Sequence, residues 1–229
     1  MANHVFIPVR GKRVRIVELD SCGRPIEDGN YLVSDGFISV AASAVVEEGA
    51  EVTQRKFTGA LCVNEKFADS FKRFTVTMEF CGVNPALLTL VTNASGYEDH
   101  AGDMAGFTVA EGDIEKWFAL ELWSGLSGAG CAEGVEEASG YFLLPFLAAG
   151  TPGDITVDGE NAVTFSMQGA YTKGGNAWGT GMFPVVYDGV SEAPAVLPTA
   201  LDPLDHLLVI DTGVPAPEIT DDLTPIPAG

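Results

Sequence analysis

The stretch Phe74-Thr75-Val76-Thr77-Met78-Glu79-Phe80 indicates the fold class, because apolar and polar side chains alternate along it without a break. Successive side chains of a β-strand point to opposite faces of the sheet. The four large apolar side chains therefore fall on one face, and the two threonines and Glu79 fall on the other. This pattern predicts a strand with one buried face and one face toward water.

Two further segments complete the coarse prediction. Lys116–Trp123 is apolar on nearly both faces, which is typical of a strand that is covered on both sides. Asn84–Asn93 begins with a capping residue and with proline at the first helical position, followed by an apolar run, which indicates a short helix. The 27 glycines and 13 prolines of the 229 residues favour many strands and turns elsewhere. We therefore expect a mainly β protein with one short flanking α-helix.

Charge is segregated along the chain. Ten of the 12 Lys and Arg residues lie at or before Arg73, whereas 22 of the 32 Asp and Glu residues follow it, so the formal charge of −20 belongs to the later part. Each phosphate contact of a nucleic-acid-binding protein needs a cation. The pattern therefore predicts that the chain avoids DNA rather than binding it.

Signals for membranes, cofactors and disulfides are weak. The first eight residues lack the charged start and apolar stretch of a secretory signal, and the longest apolar stretch, Tyr141–Ala149, is about half of the ~20 residues that span a bilayer. We expect a soluble protein made in a cytosol, with no membrane partner. Four cysteines without metal-binding spacing predict reduced, largely buried thiols, and a Cys62–Cys81 bridge stays open as an alternative. The cysteines are Cys22, Cys62, Cys81 and Cys131.

No catalytic motif is present. The sequence lacks the Gly-Lys-Ser/Thr of a phosphate-binding loop, and Gly125–Ala129 lacks the last glycine of a hydrolase elbow. The acids around His100 lack the order of a calcium loop and are interpreted as part of a solvated Gly- and Asp-rich loop over residues 96–112. We therefore expect no enzyme activity, no metal and no cofactor.

An ordered set of segments resembles a known family. The set comprises Gly59–Glu65, Phe71–Phe74, Cys81–Pro85, Phe118–Trp123 and Gly140–Pro145, followed by the Trp178-Gly179-Thr180-Gly181 turn. In this order they resemble the major tail tube proteins of long-tailed, siphovirus-type bacteriophages, particularly those that infect actinobacteria. The resemblance covers residues 1 to about 190 and is weakest after Ser191.

The resemblance implies a β-sandwich or barrel over residues 1–190. The composition changes beyond Tyr187, and this change predicts an extended, Pro-rich C-terminal arm over residues 191–229 that holds one strand, Leu207–Ile210. It further implies a virion protein, assembled in the cytoplasm of the bacterial host into hexameric rings that stack into a tail tube for genomic DNA. Its partners would be other copies of itself, the tape measure protein, the terminator and initiator proteins, and passing DNA without specific binding.

Three sets of residues are candidates for assembly. The charged loop from Ser43 to Thr58 is expected to stack rings through Glu47, Glu48, Glu51, Arg55 and Lys56. Glu79 and Glu121, polar positions on otherwise apolar strands, are expected to face the channel. The C-terminal arm is expected to reach a neighbouring subunit through Pro194, Pro198, Pro203, Pro215 and Pro217.

Two other classes of protein stay open. A carbohydrate-binding β-sandwich would use Trp117, Trp123 or Trp178 as an exposed aromatic platform. An acidic hydrolase would need a pair of carboxylates in a cleft, such as Asp154 and Asp158, with raised pKa values. Polymerisation separates the tube subunit from both alternatives, because a tube requires two self-contacts and the alternatives require none.

Overall fold

The computed structural model describes residues 7–82, 84–126, 139–155, 163–175, 177–220 and 222–227. The described residues form one α-helix, α1 (Pro85–Val91), and 16 β-strands. The strands are β1 (Pro8–Glu18), β2 (Asn30–Ser34), β3 (Phe37–Glu47), β4 (Glu51–Arg55), β5 (Leu61–Lys66), β6 (Ser70–Cys81), β7 (Ala94–Glu98), β8 (Met104–Val109), β9 (Trp117–Leu126), β10 (Ser139–Ala148), β11 (Thr151–Pro152), β12 (Thr164–Thr172), β13 (Val186–Tyr187), β14 (Pro194–Ala195), β15 (Leu208–Thr212) and β16 (Thr224–Pro225).

A large antiparallel sheet organises the fold, in the order β16-β2-β1-β9-β10-β12-β6-β3, with β11 beside β12 and β15 beside β10. The mainly β prediction with a short helix is therefore confirmed. The strand predicted from the alternating stretch is part of β6, and its apolar residues are buried or half-buried while Glu79 is exposed, as the alternation requires. Strand β3 forms one edge of the sheet and pairs with β6 over most of its length.

The sheet curls around a core to which strands from both of its ends contribute. Val14 of β1, Met78 of β6 and Phe118 of β9 belong to the same buried cluster, with the apolar face of α1. The Asn84 side chain accepts a hydrogen bond from the backbone N–H of Leu87 and caps α1, which confirms the predicted helix start.

A second core lies on the opposite face of β1, β9 and β10. There Trp123 and Tyr141 pack with Leu197 and Ile226 from the C-terminal part of the chain. Strand β9 is consequently covered on both faces, as predicted from its composition.

The expected C-terminal arm packs on its own subunit. Strand β15 pairs with β10 and β16 pairs with β2, while Leu197, Val214 and Ile226 are buried. The arm does not extend from the body over the described residues, because its apolar side chains complete the second core of the same chain. Its predicted strand at Leu207–Ile210 is present as β15, and its contact with a neighbouring subunit stays a prediction.

Two smaller predictions are also corrected. Residues 96–112 are not a plain loop, because β7 and β8 pair there as a hairpin. Cys22, Cys62 and Cys81 are free, as expected, but all three are exposed rather than buried. The prediction for Cys131 lies outside the described residues.

Candidate assembly surface

A two-stranded ribbon projects from the edge of the sheet between β3 and β6. We define it as residues 48–69, which contain β4, β5 and the turn that joins them. Every residue from 50 to 72 is exposed. Since a strand rises by about 3.3 Å per residue, the tip lies roughly 30 Å beyond the last β3–β6 pair.

The ribbon and its base expose large apolar side chains along their whole length. The largest is Phe57 at the tip, which is fully exposed. The others are Val46, Val52, Leu61, Val63, Phe67 and Phe71, each at least 39 % exposed. Contiguous apolar surface of this kind on a soluble protein marks an interaction site.

The neck of the ribbon is closely packed. The Gly49 N–H donates to Asp69 Oδ1 at 2.9 Å, and the Phe67 N–H donates to the Ala50 carbonyl at 3.0 Å. A Cβ atom at Gly49 would lie 2.0 Å from the Phe67 carbonyl oxygen, so only glycine fits where the two segments of the neck approach each other. Glu47 and Lys72 form an ion pair at 3.4 Å just below the neck. These contacts hold the ribbon in one direction relative to the sheet.

The C-terminal part of the chain touches the root of the ribbon. The His206 ring packs edge-on against Phe71 at 5.3 Å, and its Nδ1 atom lies 2.6 Å from Thr172 Oγ1. Burial lowers the pKa of His206 from its usual value, and the Asp205 carboxylate opposes that shift. Neutral imidazole is therefore the form that suits this contact.

The five residues predicted to stack rings all lie on the ribbon or at its neck, and all are exposed. Arg55 donates to the Gly59 carbonyl at 3.1 Å and so helps to hold the tip turn. Their contact with a neighbouring copy stays a prediction. The sequence predicted the charges of this surface but not its form, because the region was interpreted as a loop. The apolar residues Leu61 and Val63, two positions apart, and the Thr58-Gly59 turn were the signals that could have revealed a hairpin.

The two predicted channel-facing acids have opposite environments. Glu79 is exposed on the outer face of β6 and accepts a hydrogen bond from Ser39 at 3.1 Å. Ser166 of β12 stands opposite Glu79 on the other side. This face therefore carries small hydroxyl side chains and one carboxylate, and its role in a channel stays a prediction.

Glu121 does not reach solvent, so the prediction that it faces a channel is wrong. Its side chain is 1 % exposed and forms a two-pronged ion pair with Arg15, whose guanidinium donates from Nε and, at 2.8 Å, from Nη2. The Tyr141 hydroxyl donates to the same carboxylate at 2.6 Å. Burial, and then the negative charge of Glu121, raises the pKa of Tyr141 well above its usual value. Glu121 is the one polar residue on an otherwise apolar face of β9, and the C-terminal part of the chain covers that face.

The prolines predicted to contact a neighbour lie on the surface of the C-terminal part. Pro194, Pro198, Pro203 and Pro215 are exposed, and Pro217 is half-buried. They are available to a neighbouring copy, although the backbone around them is fixed to its own subunit.

A second protrusion is the β7–β8 hairpin, which exposes Tyr97, Met104 and Val109. Phe107, on the same face of β8 as Val109, packs against Phe165 of β12 with 6.0 Å between ring centres, so the hairpin is anchored to the body. The hairpin thus adds an exposed apolar surface that is separate from the ribbon.

Among the described residues, neither the aromatic platform nor the pair of carboxylates that the two alternative functions require is observed. Trp123 and Trp178 are buried and Trp117 is half-buried, so these residues form no exposed aromatic platform. Asp154 is exposed, and its predicted partner Asp158 lies outside the described residues. The Asp99 carboxylate accepts hydrogen bonds from the Ala101 and Asp103 N–H groups and so closes its own turn.

Searches for standard features and for relatives add no further site. Within the described ranges, no group of three or more His, Cys, Asp or Glu side chains is placed to bind a metal, and no helix is long and apolar enough to cross a membrane. Neither models of protein families nor curated proteins match this chain. The exposed surfaces are therefore the observations that bear on function.

Proposed function

We propose that this chain is the structural subunit of the tail tube of a long-tailed bacteriophage. Copies would form hexameric rings, the rings would stack, and genomic DNA would pass through the channel during ejection. The number of subunits per ring and the partners at the ends of the tube follow from the family resemblance alone. The projecting ribbon is the observation that carries the proposal.

The ribbon supports stacking because an isolated subunit leaves its apolar side chains exposed to water, which is unfavourable. The seven exposed large apolar side chains of the ribbon and its base make no contribution to either core, yet the neck fixes the direction of the ribbon. Burial of such side chains against another copy stabilises the assembly by about 25 cal/mol per Å² of apolar area. A tube also needs a contact within each ring, and the β7–β8 hairpin offers a second, separate surface.

The charge distribution supports a channel for DNA. The chain after Arg73 carries the whole net charge of −20, and the outer face of β6 around Glu79 presents hydroxyl groups and a carboxylate. On this face of β6 the cation is Arg73, six positions from Glu79 and half-buried over the Tyr171 ring, so DNA would meet few cations near Glu79 and could slide with few counterion-releasing contacts.

The test compares the full chain with a variant in which Asn-Gly replaces residues 48–69. Asn-Gly favours the two-residue turn that would close β3 onto β6, and no buried residue is lost, so the body should fold unchanged. Electron microscopy should show hollow tubes for the full chain and at most single rings for the shortened variant. Circular dichroism and the thermal unfolding midpoint serve as the controls for folding.

Tubes of normal length from the shortened variant would exclude the ribbon as the stacking element. A full chain that stays monomeric at high concentration and with added initiator protein would contradict the tail tube proposal itself.

A further inference from the structure

We propose that a groove on the C-terminal part of the chain receives the ribbon tip of a second copy. The groove has a volume of about 410 Å³ and opens between β13 and β15. Its lining includes Val186, Leu197, Leu201, Leu208, Ile210 and Asp211. This inference rests on the proposed stacking function and identifies which two surfaces meet.

The tip presents one large aromatic side chain that can fill such a groove. Phe57 sits in a turn that is closed by hydrogen bonds from Lys56 N–H to the Ala60 carbonyl and from Gly59 N–H to the Lys56 carbonyl, both at 2.8 Å. Gly59 adopts the left-handed conformation (φ +82°) that this turn requires. The turn therefore fixes the backbone at Phe57 before contact, with the aromatic ring exposed. Buried aromatic side chains of this size are typical anchors of protein interfaces.

Charge complementarity selects the groove over other apolar surfaces. Arg55 and Lys56 flank Phe57, so the tip is cationic. The chain has no Lys or Arg after Lys173, and Asp202, Asp205 and Asp211 lie in or beside the groove. By contrast, the groove between β1 and β3 is lined in part by Arg10, next to Lys12 and Arg13, and would repel the tip.

The placement of the groove makes the contact intermolecular. Leu201 and Leu208, which line the groove, lie on either side of His206 in the sequence. The His206 ring packs against Phe71 at the root of the ribbon. The tip is roughly 30 Å away from that root. A tip can therefore fill this groove on a copy that is displaced along the ribbon by about its length. Because tip and groove are different surfaces, the contact repeats and gives an open stack.

The test uses two full-length variants, each with one defective half of the interface. Phe57→Ser removes the anchor, and Thr199→Arg with Ala200→Arg places bulk and positive charge at the groove. All three positions are exposed, so the fold should be retained. Each variant alone should lose tubes. When preformed rings of the two variants are mixed, the intact tips of a groove-variant ring can enter the intact grooves of a tip-variant ring. Only one such contact can form per pair of rings, because the other tips and grooves are defective.

The mixture should therefore give pairs of rings with twice the mass of either ring alone in sedimentation velocity, and no long tubes. Val190→Ser, which removes an exposed apolar side chain that belongs neither to the ribbon nor to the groove lining, should assemble like the parent chain. Normal tubes from the groove variant, or a mixture that sediments as its separate components, would overturn the groove assignment while leaving stacking intact. Failure of the parent chain to form tubes would overturn both proposals.

Discussion

Replacement of Glu121 by glutamine should strongly destabilise the subunit. Arg15 is 5 % exposed, and its guanidinium lies 3.7 Å from the Phe183 ring centre and 5.0 Å from that of Trp123. Glutamine keeps the size of the side chain but leaves this guanidinium buried without a countercharge. Removal of one partner of a buried ion pair costs about 3–5 kcal/mol.

A loss of this size is a large fraction of the 5–15 kcal/mol that stabilises a typical protein. At about 2–4 °C per kcal/mol for a chain of this length, the unfolding midpoint should fall by about 6–20 °C. Buried Trp123 beside Arg15 gives a fluorescence signal for unfolding in urea. Because association raises apparent stability, the measurement requires a concentration at which sedimentation shows only monomer.

Two controls make the result specific to the buried pair. Glu79→Gln removes an exposed carboxylate from a neighbouring part of the sheet and should change stability by less than about 0.5 kcal/mol. Arg15→Met combined with Glu121→Leu and Tyr141→Phe replaces both charges, and the hydroxyl that would lose its acceptor, by apolar groups and should recover most of the loss. A loss below about 1 kcal/mol for Glu121→Gln, or a triple variant no better than the single one, would refute the reasoning.

Two further predictions concern the root and neck of the ribbon. Because the pKa of His206 is lowered in the fold, the unfolded chain binds the proton more readily between that lowered value and about 6.5, so stability should fall as pH drops through this window. His206→Gln should remove this part of the pH dependence in urea titrations at pH 7.5 and 5.5, and an unchanged difference between the two pH values would contradict it. Gly49→Ala should shorten or abolish tubes in electron microscopy, since its Cβ would meet the Phe67 carbonyl, whereas Gly112→Ala, with open space around it and outside both proposed contact surfaces, should assemble normally. Equal assembly of the two alanine variants would show that the neck geometry is unimportant.

The elements with strong local signals could be predicted from the sequence. The alternation from Phe74 to Phe80 determined the strand and its wet face, and Asn84-Pro85 determined where the helix begins, because both depend on neighbouring residues only. The apolar composition of β9 indicated burial on both faces. The segregation of charge is likewise a property of the chain itself.

Only the tertiary structure decided what covers each polar position. Glu79 and Glu121 are both carboxylates within strands, yet one is exposed and the other is buried with Arg15, 106 positions away along the chain. The same holds for the Pro-rich C-terminal part, whose apolar residues complete a core that local sequence cannot reveal. Long-range pairing thus determines whether a polar side chain meets water or a partner.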